Sequence, residues 1–185
     1  MFVKQKSNLF LRPKGFTLIE LLVVMAIIGI FSSIVLSSMS RAREAAYFTR
    51  AKKELRSIYE SVELFTIDNS NYPPDANRDI PPGLEQYLAP GIWPDAAWPG
   101  SVFDWENWDE PGTGEKIYQI SIRFCPLGQP DECRFPNQDW AENFDINSSV
   151  FYCLKGPCRP HIGKPPNHPG YCVNCQEPQY PYGIY

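Results

Sequence analysis

From Phe16 to Met39 the chain runs for 24 residues with no proline and one charged side chain, Glu20. As an α-helix, such a run is roughly 36 Å long, enough for a bilayer core of ~30 Å with some tilt. A helix buried in a soluble core is the alternative, and it fits an apolar stretch of this length poorly. Lys4, Lys6, Arg12 and Lys14 precede the run with no acid among them, which favours a cytoplasmic N-terminus. Arg41 and Arg43 follow directly and weaken that charge bias. An ordinary secretory signal has a shorter apolar core ending in small residues. Ser37-Ser38-Met39 offers such a triplet, so on sequence alone that reading stays open, although the helical pattern continues straight through it.

Glu20 is the outlying residue of the run. A carboxylate in a membrane span costs about 2.5–3.5 kcal/mol at the centre and less near an interface. Only five residues into the run, it can lie at the headgroups and stay wet. The other reading, favoured because intramembrane carboxylates are functional by default, is that it awaits a positive partner supplied by assembly.

Past Met39 the sequence turns polar without losing helical periodicity. Phe48, Ala51, Leu55, Ile58, Val62 and Phe65 recur at spacings of three and four, giving one apolar stripe. Asp68 to Asn71 and then Pro73-Pro74 end the helix. Phe16 to about Ile67 is therefore expected as one helix of roughly 78 Å, whose first half suits lipid or copies of itself and whose second half carries a head.

The stretch Lys14-Gly15-Phe16-Thr17-Leu18-Ile19-Glu20-Leu21-Leu22-Val23-Val24 resembles the class III leader junction of type IV pilins and type II secretion pseudopilins. The resemblance implies cleavage by a membrane prepilin peptidase between Gly15 and Phe16, N-methylation of Phe16, and Glu20 as the assembly glutamate. It implies four parts: a leader at 1–15, a transmembrane and polymerisation half-helix at 16–40, an amphipathic half at 41–71, and a globular head at 72–185. It also implies a fibre of copies of this chain, built from subunits held in membrane lipid by an inner-membrane assembly platform and its ATPase. The Asn71-Tyr72-Pro73 exit and the Trp- and Pro-rich stretch beyond it are similar to the major pseudopilin branch. One departure is that Ser32-Ser33 and Ser37-Ser38 occupy the zone where many family members carry a proline.

The head differs in composition from what precedes it. Residues 1–71 hold ten Lys/Arg against six Asp/Glu, whereas residues 72–185 hold seven against fifteen. So acidic a surface repels phosphate backbones and argues against direct nucleic-acid binding. Eighteen of the nineteen prolines follow Asn71, and all five tryptophans lie between Trp93 and Trp140, which predicts a loop-rich head around a small aromatic core. Gly83 to Leu88 suits a short helical turn. Tyr118 to Phe124 alternates apolar and polar residues, the mark of a half-buried strand. Val150 to Leu154 and Gly170 to Val173 are further strands, and the tail after Cys175 reads as an extended strap. The expected class is α+β, a long N-terminal helix packed on a small antiparallel sheet.

Cys125, Cys133, Cys153, Cys158, Cys172 and Cys175 all lie in the head. In an exported domain they read as a disulfide framework, with Cys125–Cys133 the simplest local bridge and the pairing of the other four open. Cys153-x4-Cys158 and Cys172-x2-Cys175, with His161 and His168 between them, also approximate a zinc-ribbon layout, the less favoured state outside the membrane. The two histidines then read as solvated loop residues. Asp104, Glu106, Asp109 and Glu110 crowd what reads as one loop around Trp105 and Trp108; they are calcium candidates, with a solvated acidic loop the plainer reading. No catalytic constellation or phosphate-binding loop stands out, so an enzyme is not expected. The alternative to a fibre subunit is a cysteine-rich binding module on an ordinary membrane anchor.

Overall fold

The computed structural model describes residues 15–89, 91–125, 132–161 and 168–175. It divides into two units, Met1–Arg41 and Ala42–Tyr185.

Helix α1 spans Leu18–Asn69, close to the expected bounds. Its start is fixed by Thr17 and Glu20, and at its end Ser70 adopts φ 60°, the left-handed turn that stops a helix, ahead of the two prolines. Within the first unit the apolar side chains of α1 are exposed throughout, and the helix is long and apolar enough to cross a membrane.

The second unit is built on the stripe read from the sequence. Ala51, Leu55, Ile58, Val62 and Phe65 are buried, with Phe48 packed beside them against Trp98, Trp140 and Tyr171. Facing them is a four-stranded sheet of β1 (Val102–Asp109), β2 (Lys116–Arg123), β3 (Ser149–Lys155) and β4 (Gly170–Cys172), in that spatial order. Phe103, Trp105, Ile120, Ile122 and Val150 point into the layer between sheet and helix. The loop after α1 covers the β1 edge through a bridge between Ala76 and Trp105, and Trp105 Nε1 donates to the Pro73 carbonyl at 3.1 Å. The bridge covers the middle of an edge that would otherwise offer an open ladder to other chains.

Four expectations need correction. The sheet is mixed: β1–β2–β3 is antiparallel, but β4 runs parallel to β3. The stretch between β3 and β4, residues 156–169, is long enough for a crossover, where a two-residue turn would have forced an antiparallel pair. The acidic stretch around Trp105 is strand β1, not a loop. It alternates Phe103 and Trp105 inward with Asp104 and Glu106 outward, and the carboxylates mask the period. Strand β2 is buried on both faces, since Gln119 and Ser121 are 0% exposed, Gln119 bonded to the Arg159 carbonyl and Ser121 to Glu106. The histidines are not solvated: His161 Nδ1 lies 2.8 Å from Arg123 Nη2, and His168 Nδ1 lies 2.8 Å from Asp145 Oδ2. The expected turn at 83–88 is a short 3-10 turn at Glu85–Tyr87. The tail after Cys175 lies outside the described residues, as do Lys4, Lys6, Arg12 and Lys14.

Candidate functional site

The N-terminal site is small. Gly15 lies just ahead of the helix, and a Cβ there would meet nothing within 4 Å among the described residues. The fold itself therefore does not demand glycine at this position. Phe16 is 84% exposed. Thr17 and Glu20 form a reciprocal cap. The Glu20 carboxylate accepts from the Thr17 backbone N–H at 2.8 Å and from its hydroxyl at 2.7 Å, while the Glu20 N–H donates to Thr17 Oγ1 at 3.3 Å. This is a capping box, which satisfies orphan donors of the first turn and sets a negative charge at the positive end of the helix dipole. In a single copy, Glu20 is thus held by its own chain and has no cationic partner among the described residues. The Thr-x-x-Glu spacing was legible in the sequence, although the role of Thr17 was not read from it.

The second cluster lies on the outer face of the sheet. Asp104 pairs with Arg123 at 3.3 Å and accepts from the Arg78 N–H at 2.9 Å. Glu106 accepts from Trp108 Nε1 at 3.1 Å, Gln119 Nε2 at 2.9 Å and the Ser121 hydroxyl at 2.5 Å. Burial pushes its carboxyl up to about 7, against the pull of Arg123 and its donors. Asp109 pairs with Lys116 at 3.0 Å and Glu110 with Arg159 at 3.1 Å. The four acidic residues are therefore spread along β1 and its turn, each with its own partner, rather than converging on one point. Among the described residues no group of three or more His, Cys, Asp or Glu side chains is arranged to hold a metal ion.

Gln119 and Arg123 join this face to the segment folded over it. Gln119 Nε2 donates to the Arg159 carbonyl at 2.6 Å and its Oε1 accepts from the Arg159 N–H at 3.0 Å; Arg123 Nη1 donates to the Pro160 carbonyl at 2.6 Å. Burial, with the charges of Arg123 and its neighbours, drives His161 down to about 4. The cysteines brace the same region. The bridges are Cys125–Cys133, Cys153–Cys158 and Cys172–Cys175; the last two sit in one apolar cluster with Ile117 and Phe151.

The exposed apolar helix capped by Glu20 runs on into the stretch that packs on the disulfide-braced sheet. The family profile described as the prokaryotic N-terminal methylation motif matches residues 11–36, the region that holds Gly15, Phe16 and Glu20. The chain is similar to the type II secretion system core protein G of Escherichia coli K12, 32% identical over 87 residues that cover 46% of this chain and 57% of that protein. It is similar to the type IV wide pilus major component PilA4 of Thermus thermophilus, 38% identical over 72 residues, 39% of this chain and 55% of the relative. The type IV major pilin protein PilA of Myxococcus xanthus is 35% identical over 67 residues, 36% of this chain and 30% of that pilin. The chain spans about half the length, or less, of these curated relatives. No solved structure matches it. The motif and these relatives support a pilin or pseudopilin family for the chain.

Proposed function

We propose that this chain is the structural subunit of a type IV pilus or type II secretion pseudopilus, polymerising through its N-terminal helix. The observation that carries the reading is the exposed, largely apolar run from Phe16 to Met39, charged only at the capped carboxylate of Glu20. Such a surface is at home in lipid or against copies of itself, and in nothing aqueous. The precursor spans the cytoplasmic membrane with its N-terminus in the cytoplasm. A prepilin peptidase cuts between Gly15 and Phe16, Phe16 is N-methylated, and an assembly platform with its ATPase draws subunits into the fibre. Catalysis and direct nucleic-acid binding form no part of this role. Calcium stays a candidate ligand of the Asp104–Glu110 stretch, and zinc the less favoured one for the cysteines.

In the fibre the new ammonium at Phe16 of a neighbouring subunit takes over Glu20 from Thr17. Breaking a buried pair of this kind typically costs about 3–5 kcal/mol, much of it from the partner left unpaired. Glu20→Gln keeps the size and a carbonyl for the Thr17 donors, so it should insert and be processed normally while fibre formation fails. Electron microscopy of sheared surface material, alongside a membrane blot, reads both outcomes. Abundant fibres from Glu20→Gln would sink the pairing and leave Glu20 a helix cap.

A further inference from the structure

The Trp- and Pro-rich connection between α1 and β1 walls a cavity of about 410 Å³ beside the start of β1, whose lining includes Arg78, Trp93, Pro94, Trp98, Pro99 and Phe103. Trp98 is 3% exposed and sits edge-on to Phe124 and Trp140; Trp93 is partly buried beside Phe103. The indole N–H of each is buried and has no acceptor among the described residues. Trp105 and Trp108 do find theirs, in the Pro73 carbonyl and in Glu106. Buried Trp donors are usually paired, so two unpaired ones on one cavity point to an acceptor brought from outside.

Indoles and prolines on one wall suit an extended proline-rich segment. The rings pack on its prolines, and an indole N–H meets a carbonyl, which a polyproline II chain leaves without an internal partner. Beyond Cys175, outside the described residues, the chain carries such a segment: Glu177-Pro178-Gln179-Tyr180-Pro181 sets two prolines three residues apart, one turn of that helix. Glu177 is the only charged side chain of residues 176–185. Arg78 in the cavity wall makes no ion pair among the described residues, so its charge complements that of the segment.

The segment does not reach the cavity of its own chain. Val102 pairs with Arg123, Arg123 with Ser149 and Ser149 with Gly170, so the cavity and the start of β4 lie at the same end of the sheet. From there β4 runs away: Asn174 bonds the N–H and the carbonyl of Cys153, level with Gln119 and Glu106. Three strand spacings (~14 Å) and the run from Val102 to Glu106 (~13 Å) set Cys175 ~19 Å from the cavity. Pro178 extends at most ~11 Å from Cys175, which the Cys172–Cys175 bridge ties down. We infer that residues 177–181 of one copy seat in the Trp93–Trp98 cavity of another, a strap from head to head. Trp93, only partly buried, turns its N–H toward a carbonyl of the strap, and Trp98 forms the fixed wall. The inference rests on the fibre-subunit reading only for bringing copies together.

Photo-crosslinking of the full chain, with benzoylphenylalanine placed at Tyr180, tests this in fibres and in detergent. Illumination should give a covalent dimer on a denaturing gel, with the linked peptide mapping to residues 93–103. Trp93→Phe keeps a ring and removes the donor, and should lower the dimer yield about fivefold or more. Pro178→Ala with Pro181→Ala should do the same while leaving the cavity untouched, which controls for folding. Excess synthetic peptide of residues 176–185 should suppress the dimer, and an unrelated proline-rich peptide of equal charge should not. The inference falls if the product keeps the monomer mass, which would seat the segment on its own chain, or if the linked peptide lies elsewhere. It falls equally if neither variant lowers the yield. Equal suppression by both peptides would make the cavity a general receptor for proline-rich partners and overturn the choice of a second copy. Fibres without the dimer sink the strap alone; a dimer in detergent from a chain that forms no fibres sinks the subunit reading and leaves the strap standing.

Discussion

Two glycines with the same backbone requirement differ in what surrounds them, which separates two costs that are usually measured together. Gly114, at φ 70°, has open space where a Cβ would stand. Gly156, at φ 87°, does not: a Cβ would run into the Lys116 carbonyl oxygen and lie 3.0 Å from its carbon and 3.2 Å from Ile117 Cα. Those atoms belong to β2, pinned on one side by the Asp109–Lys116 pairing and on the other by Tyr118–Lys155. Residue 156 itself lies inside the loop closed by Cys153–Cys158, so neither side can yield easily. A left-handed alanine costs about 1–2 kcal/mol, partly offset by the ~0.4–1 kcal/mol it removes from the entropy of the unfolded chain. Gly114→Ala should therefore cost roughly 1 kcal/mol or less. Gly156→Ala adds an overpacking cost of about 1–3 kcal/mol, for a total near 3 kcal/mol. For a head of this size each kcal/mol lowers Tm by roughly 3–4 °C, so thermal unfolding should separate the two variants by about 6–8 °C. Equal losses would show that β2 does give way there, and the packing argument around Gly156 would be wrong.

Other expectations follow from the same region. Glu106, raised to about 7, binds a proton in the folded state that the unfolded chain releases above its ordinary value, so its contribution to stability falls as pH rises from about 4.5 to 7. His161, lowered to about 4, works in the opposite direction: its contribution is intact above ordinary histidine values and is lost as pH falls toward 4. His161→Gln should then show the free energy of unfolding climbing more steeply than that of the unmodified chain as pH falls from 7 to 5, by up to ~1.4 kcal/mol per pH unit; parallel profiles would contradict this. Mass spectrometry without reductant should find no free thiol, and removing any one bridge should cost about 2–5 kcal/mol; six free thiols with stoichiometric zinc would overturn the disulfide account. Gly15→Phe should fold and insert normally, because the structure leaves room for it, yet accumulate as full-length precursor in the membrane; normal trimming would refute the leader assignment.

Where one physical signal dominated, the sequence was enough. The apolar run and the 3.6-residue stripe from Phe48 to Phe65 specify α1 and its buried face, because burial enforces both. Tyr118 to Phe124 read correctly as a strand because its inward residues are all apolar or aromatic. Strand β1 did not, since Asp104 and Glu106 occupy positions where a buried strand seldom carries charge. Their burial depends on Arg123, Gln119 and Ser121, which no local pattern links to them. The parallel pairing of β4 was hidden for a similar reason: three residues of strand carry no directional signal. At the N-terminus Gly15, Phe16 and Glu20 stand out through fixed spacing, while Thr17 does not, because its role is local hydrogen bonding and not an unusual residue type.

On the proposed function, this chain becomes a fibre subunit by losing its leader after Gly15. Intact-mass and N-terminal fragment spectra of the protein recovered from membranes and from sheared surface material test it most directly. The expected N-terminus is N-methylated Phe16 in both fractions, with the mass corresponding to residues 16–185 plus one methyl group. An intact Met1, or a start near Ser40, would contradict the claim and favour a membrane-anchored module that never polymerises.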